Sequence, residues 1–185
     1  MVTKLYLTRH AHSVYTPDEW NRPLSKRGLT DAKKVTQILA NENIDVVLSS
    51  PYKRAVQTVE GVANTIGKGV IHVEDYKERR LSEAAVDDFD AAITKVWEDF
   101  TFAWPGGESN IVAQNRGIQA IFETLETYEG KNVVIGTHGN LMVLMMNYFN
   151  SSFDFYFWKE LDMPDIYALT FAKTELVKTK RIWTV

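Results

Sequence analysis

Two patterns of apolar residues alternate along the chain. Residues 4–8 and 70–73 read as short strands, and 45–48 and 132–135 are short apolar runs that read as buried strands. Elsewhere the apolar positions recur every three or four residues. Ala32, Val35, Ile38 and Leu39 share one face of a helix over 29–40, and Phe89, Ile93, Val96, Trp97 and Phe100 one side of a helix over 87–100. Ser50-Pro51 reads as the N-cap and first residue of a helix ending near Ile66. Trp104-Pro105-Gly106-Gly107 breaks the chain; 109–128 and 139–149 then read as helices, and 166–172 with 176–182 as a terminal strand pair around Lys173-Thr174. Strands alternating with helices predict an α/β fold, a three-layer sandwich with a mostly parallel central sheet and helices on both faces. The expected organisation is a single domain over 1–185, with 84–110 as a small lid-like insertion.

In such sheets ligands sit at the carboxyl ends of the strands. Arg9-His10 directly follows the first strand, Arg54 lies just beyond the second, and Thr137-His138-Gly139 follows the strand over 132–135 and opens a helix. Glu83 lies in the loop after the strand ending near Val73. Two arginines, two histidines and a carboxylate on one rim suit a phosphate monoester. Arginine forks grip phosphate oxygens in pairs, and helix N-termini add backbone N–H donors, expected here beside Arg54 and His138. A neutral His10 can attack phosphorus to give a phosphohistidine. The leaving alkoxide needs a proton, for which Glu83 is the candidate, with Glu78 and Glu108 as nearby alternatives.

Composition narrows the classes. The chain has 185 residues, 45% hydrophobic and 24% charged, with net charge −3. It has no overall basic excess to hold nucleic acid or anionic lipid, so a phosphate site must be a local cluster. The absence of cysteine excludes disulfide frameworks, thiolate zinc sites and cysteine-nucleophile phosphatases. The most apolar stretch, 141–149, is too short to span a bilayer. The expectation is a soluble, cytoplasmic protein acting on a small phosphorylated substrate, with no nucleic acid or membrane partner and no metal or other cofactor. Asp87, Asp88 and Asp90 read as favourable charge at a helix N-terminus rather than as metal ligands. The aromatics Phe89, Trp97, Phe100, Phe102 and Trp104 read as helix packing, or as an apolar lid over the leaving group.

Leu7-Thr8-Arg9-His10-Ala11-His12-Ser13 resembles the Arg-His-Gly signature of the histidine phosphatase superfamily, the phosphoglycerate mutase-like proteins. The stretch from Ser49 to Thr58, Leu81-Ser82-Glu83, Gly107-Glu108-Ser109 and Gly136-Thr137-His138-Gly139 are similar to its later motifs and come in the same order; Pro23-Leu24-Ser25 with Gly28 also matches. The resemblance implies His10 as nucleophile, Glu83 as acid, and Arg9, Arg54 and His138 as phosphate ligands. Ser13, Thr16, Asn21, Gly139, Asn140 and Glu108 are the further candidates for binding phosphate or substrate. Three positions depart from the family pattern. Ala11 replaces its glycine, His12 stands where glutamate is frequent, and Thr16 where a phosphate-binding asparagine is frequent, a gap that Asn21 could fill. The function expected is a metal-independent phosphomonoester hydrolase acting through a phosphohistidine. The alternatives are mutase-type phosphoryl transfer, which in the family comes with longer insertions around the site, a phosphoprotein or phosphohistidine phosphatase, and a non-catalytic phosphate-binding regulatory domain.

Overall fold

Successive residues of a strand point to opposite faces, so a strand apolar at every position must be covered on both. In β1 (Val2–Arg9), Leu5, Tyr6 and Leu7 are all fully buried. Leu5 and Leu7 enter one core, together with Leu48, Val133, Ile135, Leu169 and Phe171. Tyr6 enters the other, with Val47, Val134 and Ile166. The computed structural model, which describes residues 1–184, gathers these strands into one six-stranded sheet. Its order is β3-β2-β4-β1-β5-β6, where β2 is Val46–Ser49, β3 Ile71–His72, β4 Asn132–Thr137, β5 Asp165–Ala172 and β6 Glu175–Arg181. The first four strands in that order run parallel, and β5 and β6 add an antiparallel pair.

Two helices, α1 (Lys26–Leu39) and α2 (Lys53–Thr65), cover the Tyr6 face through Val35, Leu39, Val59 and Val62. The other face carries α3 (Phe89–Glu98), α4 (Asn110–Thr127) and α5 (Gly139–Phe149) through Ile93, Val96, Ile121 and the run Leu141–Met146. The mostly parallel three-layer α/β sandwich is therefore the observed architecture. A sixth helix, α6 (Phe155–Glu160), lies in a stretch where no element was expected; Asp154 caps it by accepting from the Tyr156 and Phe157 amides.

Several boundaries differ from expectation for local reasons. β3 shrinks to two exposed residues because it is the sheet's edge. Phe89, expected on the buried side of its helix, is the first residue of α3 and is exposed; Ala92, Ile93, Val96 and Trp97 form the buried face. Asp88 caps α3 by accepting from the Ala91 amide. Near Ser50, α2 starts only at Lys53, with Tyr52 extended as its cap residue. The Ser50 hydroxyl accepts from the Tyr52 amide ahead of the helix and also meets His138.

The register aligns the site. Arg9 pairs with Thr137 and Ser49 with Gly136, so β1, β4 and β2 end at one level. His10, His138 and Ser50 emerge side by side from three adjacent strands. Gly28 explains the Pro-Leu-Ser…Gly spacing. A Cβ there would lie 2.0 Å from the His12 carbonyl oxygen, so only glycine lets α1 seat against the loop behind His10. Ser25 fastens the same contact by accepting from the Gly28 amide, while its own amide donates to the His12 carbonyl.

Candidate active site

His10 is nearly buried, and its amide donates to the Thr137 carbonyl at 3.0 Å. Its Nδ1 lies 2.8 Å from the Ala11 carbonyl oxygen. A carbonyl only accepts, so Nδ1 carries the proton and Nε2 keeps a lone pair. Burial, and then the nearby Arg54 charge, push the His10 pKa down to about 3. The ring is thus neutral and nucleophilic at any physiological pH. Arg54 is almost fully buried, and its Nε donates to His10 Nε2 at 3.3 Å, a long contact that an incoming phosphoryl group can replace.

The rest of the Arg54 fork is occupied by Glu19. Nη1 donates to the Glu19 carbonyl at 2.9 Å, and Nη2 to the Glu19 carboxylate at 2.9 Å. Arg22 grips the other carboxylate oxygen. A carboxylate of this chain therefore sits between two arginines, one of which also bonds His10. Its side chain is 47% exposed, so release into water is easy. Neither Glu19 nor Arg22 was singled out from sequence; they lie in a polar loop with no periodic signal.

His138 is fully buried, with its ring centroid 5.2 Å from that of His10. Burial, and then the nearby His10, hold it well below the ordinary imidazole range, hence neutral. Its Nε2 is 2.8 Å from Ser50 Oγ, and its Nδ1 is buried without a partner. Arg9 donates from Nη1 to the Leu161 and Asp162 carbonyls, which leaves its buried Nε without a partner. Gly139 is required beside it, since a Cβ there would lie 2.9 Å from the Arg9 guanidinium carbon.

The second motif braces this centre. Thr58 Oγ1 accepts from the Ala11 amide at 3.0 Å and donates to the Arg54 carbonyl, and Gln57 accepts from the Leu24 amide. The Ala11 methyl is buried in a small cluster with Leu24 and Ala32, so this departure from glycine is accommodated. His12 is exposed and pairs with Ser25.

The expected helix-terminus donors need correction. At α5 the Asn140 and Leu141 amides donate to the Glu78 carboxylate, at 3.1 and 2.9 Å, so they are not free for phosphate. Glu78, one of the alternative acids, is spent on this cap. Glu108 accepts from Arg116 through both carboxylate oxygens and so faces a structural partner. The Asn140 side chain accepts from Trp97 Nε1, which ties α3 to α5. Thr16 and Asn21 both bond to Asp18 within the exposed loop, and Ser13 forms a bridge with Leu24. Glu83 is exposed, and its carboxylate has no partner among the described residues. Its backbone is held by Pro105, and Gly106 is packed so close that a Cβ there would lie 2.5 Å from Glu83 Cβ.

The structure thus brings together His10, Arg54 and His138, with Arg9 against Gly139, and adds Ser50, Glu19 and Arg22. Thr16 is joined to them only through its carbonyl, which accepts from Arg22 Nη2 at 3.1 Å, and neither Asn21 nor Glu108 shares a hydrogen bond with them. A groove of about 660 Å³ between α4 and the Lys173-Thr174 turn lies at the opposite end of the sheet and takes no part in this chemistry. Among the described residues no cluster of side chains suited to a metal ion occurs, and no helix is long and apolar enough to cross a membrane.

A neutral histidine among arginines at the carboxyl ends of a parallel sheet is an arrangement suited to phosphoryl transfer. The chain belongs to the histidine phosphatase superfamily (branch 1), whose family profile it matches over residues 5–181. It is 30% identical to Phosphoserine phosphatase 1 of Hydrogenobacter thermophilus over 157 residues, 74% of this chain and 71% of that one. It is 24% identical to the uncharacterized phosphatase PhoE of Bacillus subtilis over 148 residues, 75% and 72% of the two chains. In fold it resembles a phosphoserine phosphatase mutant from Entamoeba histolytica, solved in complex with phosphoserine. The TM-score is 0.80 and the identity 22%, over 97% of this chain and 96% of the other. A mycobacterial glucosyl-3-phosphoglycerate phosphatase gives a TM-score of 0.78 at 19% identity, over 99% of both.

Proposed function

We propose that the chain hydrolyses the phosphomonoester of a small phosphorylated metabolite, with His10 as the residue that carries the phosphoryl group. The neutral, Arg54-held Nε2 of His10 is the observation that carries this reading. The substrate phosphate displaces the Glu19 carboxylate and takes over Arg54 and Arg22, with Arg9 and His138 as further donors. Nε2 attacks phosphorus in line as the P–O bond to the leaving group breaks, and the leaving oxygen takes a proton from Glu83. A water then attacks the phosphohistidine, giving its proton to Glu83. Phosphate leaves, and the lone pair returns to Nε2. The cationic donors carry the charge on the equatorial oxygens in both steps.

Phosphoserine is the first substrate to try, because relatives named for it share sequence or fold with this chain. A cytoplasmic location belongs to the same proposal, since charged phosphomonoesters do not cross bilayers unaided. So does a single domain with 84–110 as a lid, supported by the bond from Trp97 to Asn140 and by Gly106 packed under Glu83.

The direct test is hydrolysis of p-nitrophenyl phosphate and phosphoserine in the presence of EDTA. Sustained turnover is expected. Complete loss on chelation would replace the phosphohistidine route with a metal-dependent one. The acid role is tested by leaving groups. Glu83→Gln should slow phosphoserine hydrolysis roughly 10²-fold or more, the scale of one general acid, and p-nitrophenyl phosphate far less, because p-nitrophenolate departs without a proton. Equal losses on both substrates would remove Glu83 from that role.

A further inference from the structure

The site contains a buried hydroxyl that the mechanism above does not use. Ser50 is fully buried at the end of β2, and its Oγ lies 2.8 Å from His138 Nε2. The same oxygen accepts from the Tyr52 amide at 3.2 Å. A serine hydroxyl has one proton to give and two lone pairs to offer. With one lone pair taken by Tyr52, two arrangements toward the neutral His138 remain. In the first, the Ser50 O–H donates to Nε2, and the histidine proton sits on Nδ1. In the second, Nε2–H donates to Ser50, and the hydroxyl proton then needs another acceptor. Among the described residues Ser50 Oγ has no other partner, so the second arrangement leaves a buried donor unsatisfied. It also leaves a bare, buried Nδ1 lone pair in the ring beside His10, which could not donate to a phosphoryl oxygen. The first arrangement satisfies every group at Ser50 and leaves one free donor, the buried Nδ1–H of His138 beside the His10 ring.

We propose that Ser50 is a positioning residue that selects the Nδ1–H tautomer of His138, so that an uncharged histidine serves as a hydrogen-bond donor to the phosphoryl group. A neutral His138 could otherwise present either a donor or an acceptor at Nδ1, and only the donor is useful. The same hydroxyl thus serves two partners, accepting the Tyr52 amide just ahead of α2 and donating to a histidine 88 residues away in sequence. The inference about His138 as a phosphate donor rests on the phosphomonoesterase reading, whereas the tautomer itself does not.

The experiment is a long-range ¹H–¹⁵N spectrum of the histidine side chains, with and without inorganic phosphate, for wild type, Ser50→Ala and Ser50→Thr. It is paired with kinetics of each in wild-type and His138→Gln backgrounds. His138 in the wild type should show a protonated Nδ1 and an unprotonated Nε2. Ser50→Ala should shift the population toward Nε2–H and lower kcat about tenfold or more, the scale on which groups orienting a functional histidine act. Ser50→Thr, which keeps the hydroxyl, should keep the wild-type tautomer. In the His138→Gln background, Ser50→Ala should cost little further, because its effect runs through His138. A protonated Nε2 in the wild type would overturn the proposal. So would an undiminished loss from Ser50→Ala once His138 is gone, since that would mark Ser50 as merely structural. If the wild type turned over no phosphomonoester, the functional reading would fail while the spectrum still decided the tautomer.

Discussion

His10→Ala is expected to abolish the phosphoenzyme and to lower kcat by at least roughly 10⁴-fold, since the residual rate of enzymes stripped of a nucleophile comes from binding alone. The geometry makes the effect specific. Arg54 and Ala11 hold the ring by both nitrogens, and burial keeps it neutral with a pKa of about 3. Among the described residues no second histidine is held this way: His138 is turned to Ser50, His12 and His72 are exposed, and the chain has no cysteine. The measurement is acid-sensitive, base-stable labelling from a phosphorylated substrate, followed by peptide mapping. Label on any residue other than His10, or a mutant retaining more than a few per cent of the rate, would end the mechanism. The same pKa dictates stability. The unfolded imidazole takes a proton near pH 6.5 and the folded one only near pH 3, so the unfolded state binds more protons between those values. Stability should therefore fall as pH drops from 6.5 toward 3, and His10→Ala should flatten that slope in acid denaturation.

Arg54→Ala is expected to reduce kcat by roughly 10²–10³, the effect of losing one preorganised donor. Arg54→Lys should recover little of it, because an ammonium lacks the fork that holds the His10 lone pair and two oxygens at once. The Glu19 contact gives a paired outcome of opposite sign. Glu19→Gln removes the internal anion that competes for Arg54 and Arg22, so KM and the inhibition constant of inorganic phosphate should both fall while kcat stays close to wild type. A raised KM in Glu19→Gln would mean that the carboxylate orders the arginines rather than competing with substrate. A near-normal rate in Arg54→Ala would take Arg54 out of the phosphate site.

Much of the fold was legible because its signals are local. The short runs at 4–8 and 132–135 read as strands, and the spacing of Ala32, Val35 and Leu39 as one helix face. The short α6 escaped because six residues give too little periodicity to read. Ser50-Pro51 predicts a helix that in fact starts three residues after Ser50, and the second partner of the hydroxyl, His138, is a long-range contact with no mark in one dimension. The helix start after His138 is legible in sequence, but its second and third amides belong to Glu78 rather than standing open. Glu108 lay in a motif, yet its charge is consumed by Arg116.

The sequence by itself determined which chemical groups stand at strand ends and in what order, because strand and helix periods are properties of neighbouring residues. From that alone followed the α/β class, the histidine and arginine identities, and the exclusion of thiolate chemistry. Only the tertiary structure decided their states: His10 neutral with a free Nε2, His138 neutral against Ser50, Arg54 charged but occupied by Glu19, and Glu78 committed to a helix end. Protonation and hydrogen-bond pairing depend on burial and on partners distant along the chain, such as Arg54 44 residues from His10 and the Leu161 carbonyl 152 from Arg9, and no local pattern encodes those meetings.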